Sequence, residues 1–297
     1  MLLKASLLLI LAIALSACNL PFSGTDATQT SILPTPSNTA ETVPATDAPT
    51  EAVATDPPAT ADPGDGAHLE AIVIVSPGLF SVVRSPVTVS GQSRPTFEQH
   101  LVVAVYDEAG EVLALQPTII ASEAGTAGPY TIDLSFSVAS EQPGRISVYE
   151  TSARDGGIIH LTSVEVTLSP SSSSIGPNEI SLESIAIEFP PPNVELGSGS
   201  IEVTGFSDYY FESNLGLMLC GQGGSGGPHD LCGTDDNILV STFAMIDAPD
   251  MGLPGPFAGE LTFSVSEPTP ARIVVYATSP RDGGLLHVSS IPVLLVP

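Results

Sequence analysis

The chain has 297 residues, with 33 Asp and Glu against 7 Lys and Arg and a formal net charge of −26. Nucleic acid and anionic lipid head groups are both held by Lys and Arg clusters, so this balance excludes nucleic-acid binding and repels an anionic membrane surface. Calcium or a basic partner suits the charge better, although acidity is also how an exported protein stays soluble.

Lys4 precedes an apolar run over residues 5–15 that is too short for a comfortable membrane span, so residues 1–17 form a signal peptide. The run ends in Leu15, Ser16, Ala17 and Cys18, which resembles the lipobox of bacterial lipoproteins. That resemblance implies cleavage before Cys18 and attachment of palmitate-type acyl chains to it, anchoring the mature protein extracytoplasmically on the bacterial cell membrane. Lys4 is the one lysine and leaves with the signal, so six arginines remain against 33 acidic residues, a formal charge of −27.

Residues 18–66 comprise the lipidated cysteine and a segment of Thr, Pro, Ala and Asp with one aromatic, Phe22. Too little apolar surface is available there to offset the ordering entropy, which predicts a disordered, partly polyproline stalk. Fully extended at about 3.1 Å per residue it would reach roughly 150 Å.

Beyond residue 66, short runs of Val, Ile, Leu and Thr alternate with Gly, Pro, Asn and Asp, as in IVIV at 72–75, VTVSG at 87–91, LVVAVYDEAGEVLAL at 101–115 and YTIDLSFSV at 130–138. No stretch sustains helical periodicity. The texture predicts an all-β chain of two tandem immunoglobulin-like sandwiches following the stalk.

The second half repeats the first. TVSG at 88 matches EVTG at 202, FEQHL at 97 matches FESNL at 211, and GPYTIDLSFSV at 128 matches GPFAGELTFSV at 255. The offset is 114 positions before the cysteine pair and 127 after it. The predicted organisation is domain 1 over residues 67–170, a linker at 171–178, and domain 2 over 179–297 with an inserted loop at 220–237.

The strongest repeat is YETSARDGGIIH at 149–160, returning as YATSPRDGGLLH at 276–287. Its alternating flanks are strands, and Arg154, Asp155, Gly156 and Gly157, like Arg281, Asp282, Gly283 and Gly284, form a structural turn in which the aspartate bonds to amides two residues on. Ser152, Asp155 and His160 supply the residue types of a hydrolase triad, or of a metal-dependent Asp/His hydrolase. No nucleophile elbow, oxyanion hole or third orienting element accompanies them, so the turns are scaffold and the chain is not expected to be an enzyme or to need a cofactor. Phe97 and Phe211 are core candidates, and Glu98 and Glu212 are candidate partners for Arg154 and Arg281 or for His160 and His287.

The order I-x-V-x-S-P, V-x-V-x-G, F-E near a strand start, a D-x-x-G hairpin, G-P-[FY] and [VI]-Y-x-x-S-x-[RD]-D-G resembles the Gmad2 domain. That family is an immunoglobulin-like module of bacterial spore-germination and cell-surface proteins. The resemblance covers residues 72–168 and, with the inserted loop, 185–296. It implies a small β-sandwich acting as a non-catalytic module on the outer surface, and it carries no catalytic residues.

Of the three cysteines, Cys220 and Cys232 remain as an even pair in an exported, disulfide-permissive compartment, which predicts a disulfide. A zinc site with His229 is the alternative, though the spacing lacks the close ligand pairs of zinc motifs. Between and beyond them lies the most distinctive segment, CGQGGSGGPHDLCGTDDN at 220–237. Gly221, His229, Asp230, Asp235, Asp236 and Asn237 are candidates for a partner-binding loop stapled at its base, and Asp230, Asp235 and Asp236 offer oxygen ligands for Ca²⁺ without EF-hand spacing. The predicted function is a lipid-anchored surface protein that presents two sandwiches to an envelope protein or glycan, with a passive spacer as the alternative.

Overall fold

A computed structural model describes residues 69–178, 182–208, 210–221, 231–250 and 252–297. The signal peptide, Cys18, the stalk, His229 and Asp230 lie outside the described residues. Described residues 69–178 are termed the first half and 182–297 the second.

The alternation seen in the sequence becomes pleated strand wherever one face is buried. β1 (Ile72–Ser76), β3 (Val87–Ser93) and β6 (Gly128–Leu134) form a three-stranded antiparallel sheet in the order β1-β3-β6. In β3, Val87, Val89, Gly91 and Ser93 point inward while the residues between them are more exposed, the period of 2 that a one-sided sheet demands. Facing it, β5 (Val112–Ile119), β4 (His100–Tyr106), β7 (Gln142–Thr151) and β8 (Ile158–Ser169) follow in that order, with β2 (Val82–Arg84) parallel to the end of β8. Leu101, Val103, Val105, Tyr130, Leu134, Ile146, Val148 and Leu168 fill the space between the sheets. The first half is thus an all-β sandwich.

The second half repeats this plan. β9 (Ile185–Phe189), β11 (Gly199–Ser207) and β14 (Gly255–Phe263) lie opposite β13 (Ile238–Ile246), β12 (Asn214–Gly221), β15 (Thr269–Thr278) and β16 (Leu285–Val296), with β10 (Glu195–Gly197) parallel to the end of β16. Its core is built on Val203, Leu217, Leu219, Phe257, Leu261, Ile273 and Val275. Here β13 also pairs with β14 through Ala244–Gly259, Met245–Ala258 and Ile246–Phe257, so its two sheets are joined at one edge.

β8 and β16 meet at one registered pair, Leu161 with Val288, which links the two halves into a continuous sheet. Leu161 and Val288 occupy equivalent places in the repeat, so the junction has the form of a local two-fold axis. Leu69 and Leu182, also equivalent, make an isolated antiparallel bridge. A third buried cluster lies there, with Val102, Ala104, Tyr149 and Leu161 from the first half and Val274, Val288, Cys220 and Cys232 from the second. This explains strands that do not alternate. In β4, Leu101, Val103 and Val105 face the sandwich core while Val102 and Ala104 face the other half, and β15 divides Ile273 and Val275 from Val274 in the same way.

The residues expected to be a linker, 171–178, are laced onto the first half. Ser174 exchanges backbone hydrogen bonds with Val82, and the Asn178 amide donates to the Val75 carbonyl, with its side chain donating to the Ile74 carbonyl and accepting from the Leu79 amide.

Phe97 and Phe211 correct the expectation that they belong to the core: they are 60% and 56% exposed. Each opens a tight 3₁₀ turn in which the next two residues have positive φ, Glu98 (54°) and Gln99 (58°) in one half and Glu212 (58°) and Ser213 (52°) in the other. Two left-handed residues in succession break the strand alternation, so the phenylalanine faces solvent and Gln99 turns in. The Gln99 side-chain amide donates to Ser122 Oγ (2.7 Å) and to the carbonyls of Glu123 (3.1 Å) and Thr126 (2.9 Å).

Candidate functional site

The repeated segment folds as a hairpin turn between β7 and β8, and again between β15 and β16. Ser152 N–H donates to the Gly157 carbonyl and Gly156 N–H to the Ser152 carbonyl; Ser279, Gly284 and Gly283 repeat the pattern. Asp155 Oδ1 accepts from Gly157 N–H (2.9 Å) and Asp282 Oδ1 from Gly284 N–H (2.9 Å). Gly156 and Gly283 take φ of 76° and 71°, which explains the first glycine of each pair.

The second glycine answers to the opposite half. Arg145, on β7, crosses the junction and donates from Nη1 to both carboxylate oxygens of Asp282 (3.1 Å each). Arg272, its equivalent on β15, crosses the other way, donating from Nη2 to Asp155 (3.3 Å) and from Nη1 to the Ile158 carbonyl (2.9 Å). A Cβ on Gly284 would collide with the guanidinium of Arg145, and one on Gly157 with that of Arg272. The RDGG turns are therefore the receiving ends of a reciprocal clasp. All four charged side chains are almost completely buried, and such pairs are costly to break because the partner left behind is an uncompensated buried charge. Burial opposes ionisation of Asp282, but the Gly284 amide and Arg145 outweigh it and hold its carboxyl down at about 2. Burial pulls the Arg272 guanidinium below its usual range, with Asp155 opposing that effect.

Closer to the axis the reciprocity continues. Ser163 Oγ donates to the Leu286 carbonyl and Ser290 Oγ to the Ile159 carbonyl, both at 2.7 Å. His160 and His287 meet edge to face with ring centroids 5.1 Å apart. His160 Nε2 lies 2.6 Å from Glu70 Oε1 and its Nδ1 3.6 Å from Glu183 Oε1, while His287 Nε2 lies 3.0 Å from that same Glu183 oxygen. The second oxygen of each carboxylate is held by the opposite half: Glu183 Oε2 accepts from Ala71 N–H (3.1 Å) and Glu70 Oε2 from Ser184 N–H (3.3 Å). One ligand-type atom from each of Glu70, His160, Glu183 and His287 lies within 4.8 Å of the other three. Burial works against the charge of Glu183, but the hydrogen bond from His287 and the nearby imidazoles prevail and lower its pKa. Burial likewise opposes protonation of His287, and the carboxylates of Glu70 and Glu183 outweigh it and raise its pKa.

Two open clefts flank this cluster. One, of about 390 Å³, is lined by His160 and Glu183 together with Ala71, Arg94, Glu150 and Ser290. The other, of about 500 Å³, is lined by His287 with Ser163, Ser184, Asp208, Tyr210 and Leu286.

The predicted site residues fall out unevenly. Both nitrogens of His160 face Glu70 and Glu183, and Asp155 faces Arg272, so Ser152, Asp155 and His160 are not arranged as a triad. The proposed partners Glu98 and Glu212 are not those of the histidines; Arg281 instead contacts Asp282 (3.2 Å) and Glu165 across the junction (3.7 Å). Cys220 and Cys232 form the disulfide, with Cα atoms 5.2 Å apart. Both cysteines are buried at the junction. Gly221 ends β12 opposite Ala271. Asn237 is buried with Nδ2 donating to the Cys232 carbonyl (2.8 Å), whereas Asp235 and Asp236 are exposed on a 3₁₀ turn. The ligand-type cluster of His and Glu lies elsewhere, and sequence reasoning missed Glu70 and Glu183. Their signal was the repeat LEAI at 69–72 and LESI at 182–185.

Residues 71–157 match the model of the Gmad2 family, described as the immunoglobulin-like domain of bacterial spore germination. No curated protein matches the chain. Among solved structures, dimeric latent PorU from Porphyromonas gingivalis is similar at 12% identity over 77% of this chain and 24% of that one, with a TM-score of 0.22. Red sea bream transglutaminase is similar at 11% identity over 77% of this chain and 32% of that one (TM-score 0.26). The N-terminal Ig1-2 module of the Drosophila receptor protein tyrosine phosphatase DLAR is similar at 11% over 77% of this chain and all of that one (TM-score 0.18). The chain thus spans about a quarter to a third of the length of the first two, and likeness at this level carries no functional inference.

Proposed function

We propose that this chain is a lipid-anchored, extracytoplasmic protein whose two halves, each a Gmad2-like module, act as one rigid non-catalytic head that binds a protein or glycan of the cell envelope. The observation that carries the binding reading is an apolar row on the outer sheet face of the second half. Phe189, Met245 and Phe243 are 49%, 58% and 65% exposed, and Phe206 is 44% exposed. Register puts Met245 beside Ala258, Ala258 beside Thr204 and Thr204 beside Phe189, with Phe206 and Phe243 one pleat away on the same face. Exposed apolar side chains gathered on one sheet face in this way favour an interaction surface. The non-catalytic reading is supported by the clasp, because the turn carboxylates Asp155 and Asp282 are paired with the buried Arg272 and Arg145.

Two experiments test this. Metabolic labelling with an alkyne analogue of palmitate should tag the wild-type chain, and Cys18→Ala should lose the tag and appear in the medium; an untagged wild type would sink the anchor. In-cell crosslinking should recover an envelope component that Phe243→Ser with Met245→Ser no longer captures. Unchanged capture would move the binding face elsewhere, and no capture by either would leave the chain a spacer.

A further inference from the structure

We infer that Glu70, His160, Glu183 and His287 form a binding site for a divalent transition-metal ion, with Zn²⁺ the simplest case, that joins the two halves at their local two-fold axis. The inference requires neither the lipid anchor nor any partner, so it stands or falls separately from the function proposed above.

Donor chemistry comes first. Two imidazole nitrogens and two carboxylate oxygens suit zinc and its neighbours, whereas Ca²⁺ and Mg²⁺ prefer six or more oxygens. A tetrahedral ion with bonds of about 2.0–2.1 Å holds its ligand atoms roughly 3.3 Å apart. Here Nε2 of His160 and of His287 already lie 2.6 and 3.0 Å from their carboxylate partners, and the whole set spans no more than 4.8 Å. Side-chain movements on the order of 1 Å would close it around an ion.

The surroundings are those of a held site. Each glutamate keeps one oxygen directed at an imidazole while its other oxygen is fixed by a backbone amide of the opposite half, Ser184 for Glu70 and Ala71 for Glu183. Such outer contacts set the orientation of metal ligands. The four side chains are between 2% and 9% exposed, so two carboxylates sit out of water and close together, an arrangement that calls for positive charge between them. Access is provided by the two clefts, one reaching His160 and Glu183 and the other His287. Because four protein ligands fill a tetrahedral shell, the ion would be structural rather than catalytic. Each half supplies one Glu and one His, so neither half alone could hold it.

The test uses the full-length chain in detergent, stripped with a chelator and titrated with ZnCl₂ or CoCl₂ alone. One equivalent should bind, Co²⁺ should develop the intense visible bands of tetrahedral coordination, and at about 1,000 times the Kd the Tm should rise by roughly 10 °C. His160→Gln and His287→Gln should each weaken binding by more than about 100-fold, beyond the usual effect of losing an outer contact. His100→Gln, at an exposed position, should change nothing. Should a histidine variant fold poorly, Glu70→Gln and Glu183→Gln keep the side-chain shape and should still abolish the tetrahedral Co²⁺ spectrum. Absence of saturable binding by the folded wild type, octahedral Co²⁺, affinity unchanged in folded His160→Gln or His287→Gln, or a tetrahedral Co²⁺ spectrum retained by Glu70→Gln or Glu183→Gln would each overturn the site.

Discussion

Tyr106 and Cys220 occupy the same place in the two halves, each directly opposite a clasp arginine on the neighbouring strand: Tyr106 pairs with Arg145 and Cys220 with Arg272. In the first half the tyrosine ring lies under the guanidinium, 5.1 Å from ring centroid to Arg145 Cζ. In the second half the insertion that begins at Cys220 supplies the Leu231 carbonyl instead, which accepts from Arg272 Nη2 (3.1 Å). The disulfide loop therefore completes the junction on the side where the aromatic is missing.

The disulfide should accordingly be stabilising in two ways. Closing a loop of this size contributes about 3 kcal/mol through the unfolded chain, and loss of the bridge also frees the segment carrying Leu231. Replacing both cysteines with serine is expected to cost roughly 2–4 kcal/mol in urea unfolding, with the β-sheet circular dichroism retained. A cost below about 1 kcal/mol would show that the loop does not brace the clasp.

Breaking one clasp pair should be more damaging than erasing it. Asp282→Asn leaves Arg145 buried without its counter-charge, at a cost on the order of 3–5 kcal/mol. Adding Arg145→Met in the same chain should recover part of that loss. Additive losses in the double-mutant cycle would show that the two side chains are not coupled.

The clasp was only half legible in the sequence. The turn at Asp155, Gly156 and Gly157 follows from local chemistry, and its hydrogen bonds are the ones that Asp-Gly-Gly dictates. Its partner did not follow, because Arg272 lies 117 positions away and no local rule links them. A sign was present: GRISVY and ARIVVY each place an arginine in an otherwise apolar strand that must be buried on both faces, and such a charge requires a partner. The non-alternating runs of β4 and β15 pointed the same way, to strands covered by something beyond their own sandwich. Phe97 was misassigned because hydrophobicity alone cannot register two consecutive left-handed residues.

The two glycines of each turn should respond differently to alanine. Gly283→Ala has open space but positive φ, costing about 1 kcal/mol. Gly284→Ala meets the Arg145 guanidinium and should cost more, since that buried side chain must move and its pair with Asp282 loosen. Chemical denaturation of the two variants gives the order, and equal losses would argue against the close approach.

Acid should loosen the junction through Asp282. Its carboxyl is held at about 2 in the folded protein, below its ordinary value of 3.8, so the unfolded chain takes up the proton first as pH falls. The associated stability is fully present above about pH 4 and is lost as pH drops toward 2. Thermal melts between pH 5 and pH 2 should show a steeper decline for the wild type than for Asp282→Asn. Parallel profiles would contradict the assignment.

The junction between β8 and β16 has the self-complementary form of an interface between identical subunits, yet here the two partners are one chain joined through residues 171–178. Covalent tethering raises the effective concentration of one half at the other, so a modest set of contacts can keep them together at any dilution. It also releases each half from mirroring its neighbour. A true homodimer would carry every change twice, whereas this chain can place a disulfide loop on one side and a tyrosine on the other and so present an asymmetric outline from a symmetric frame.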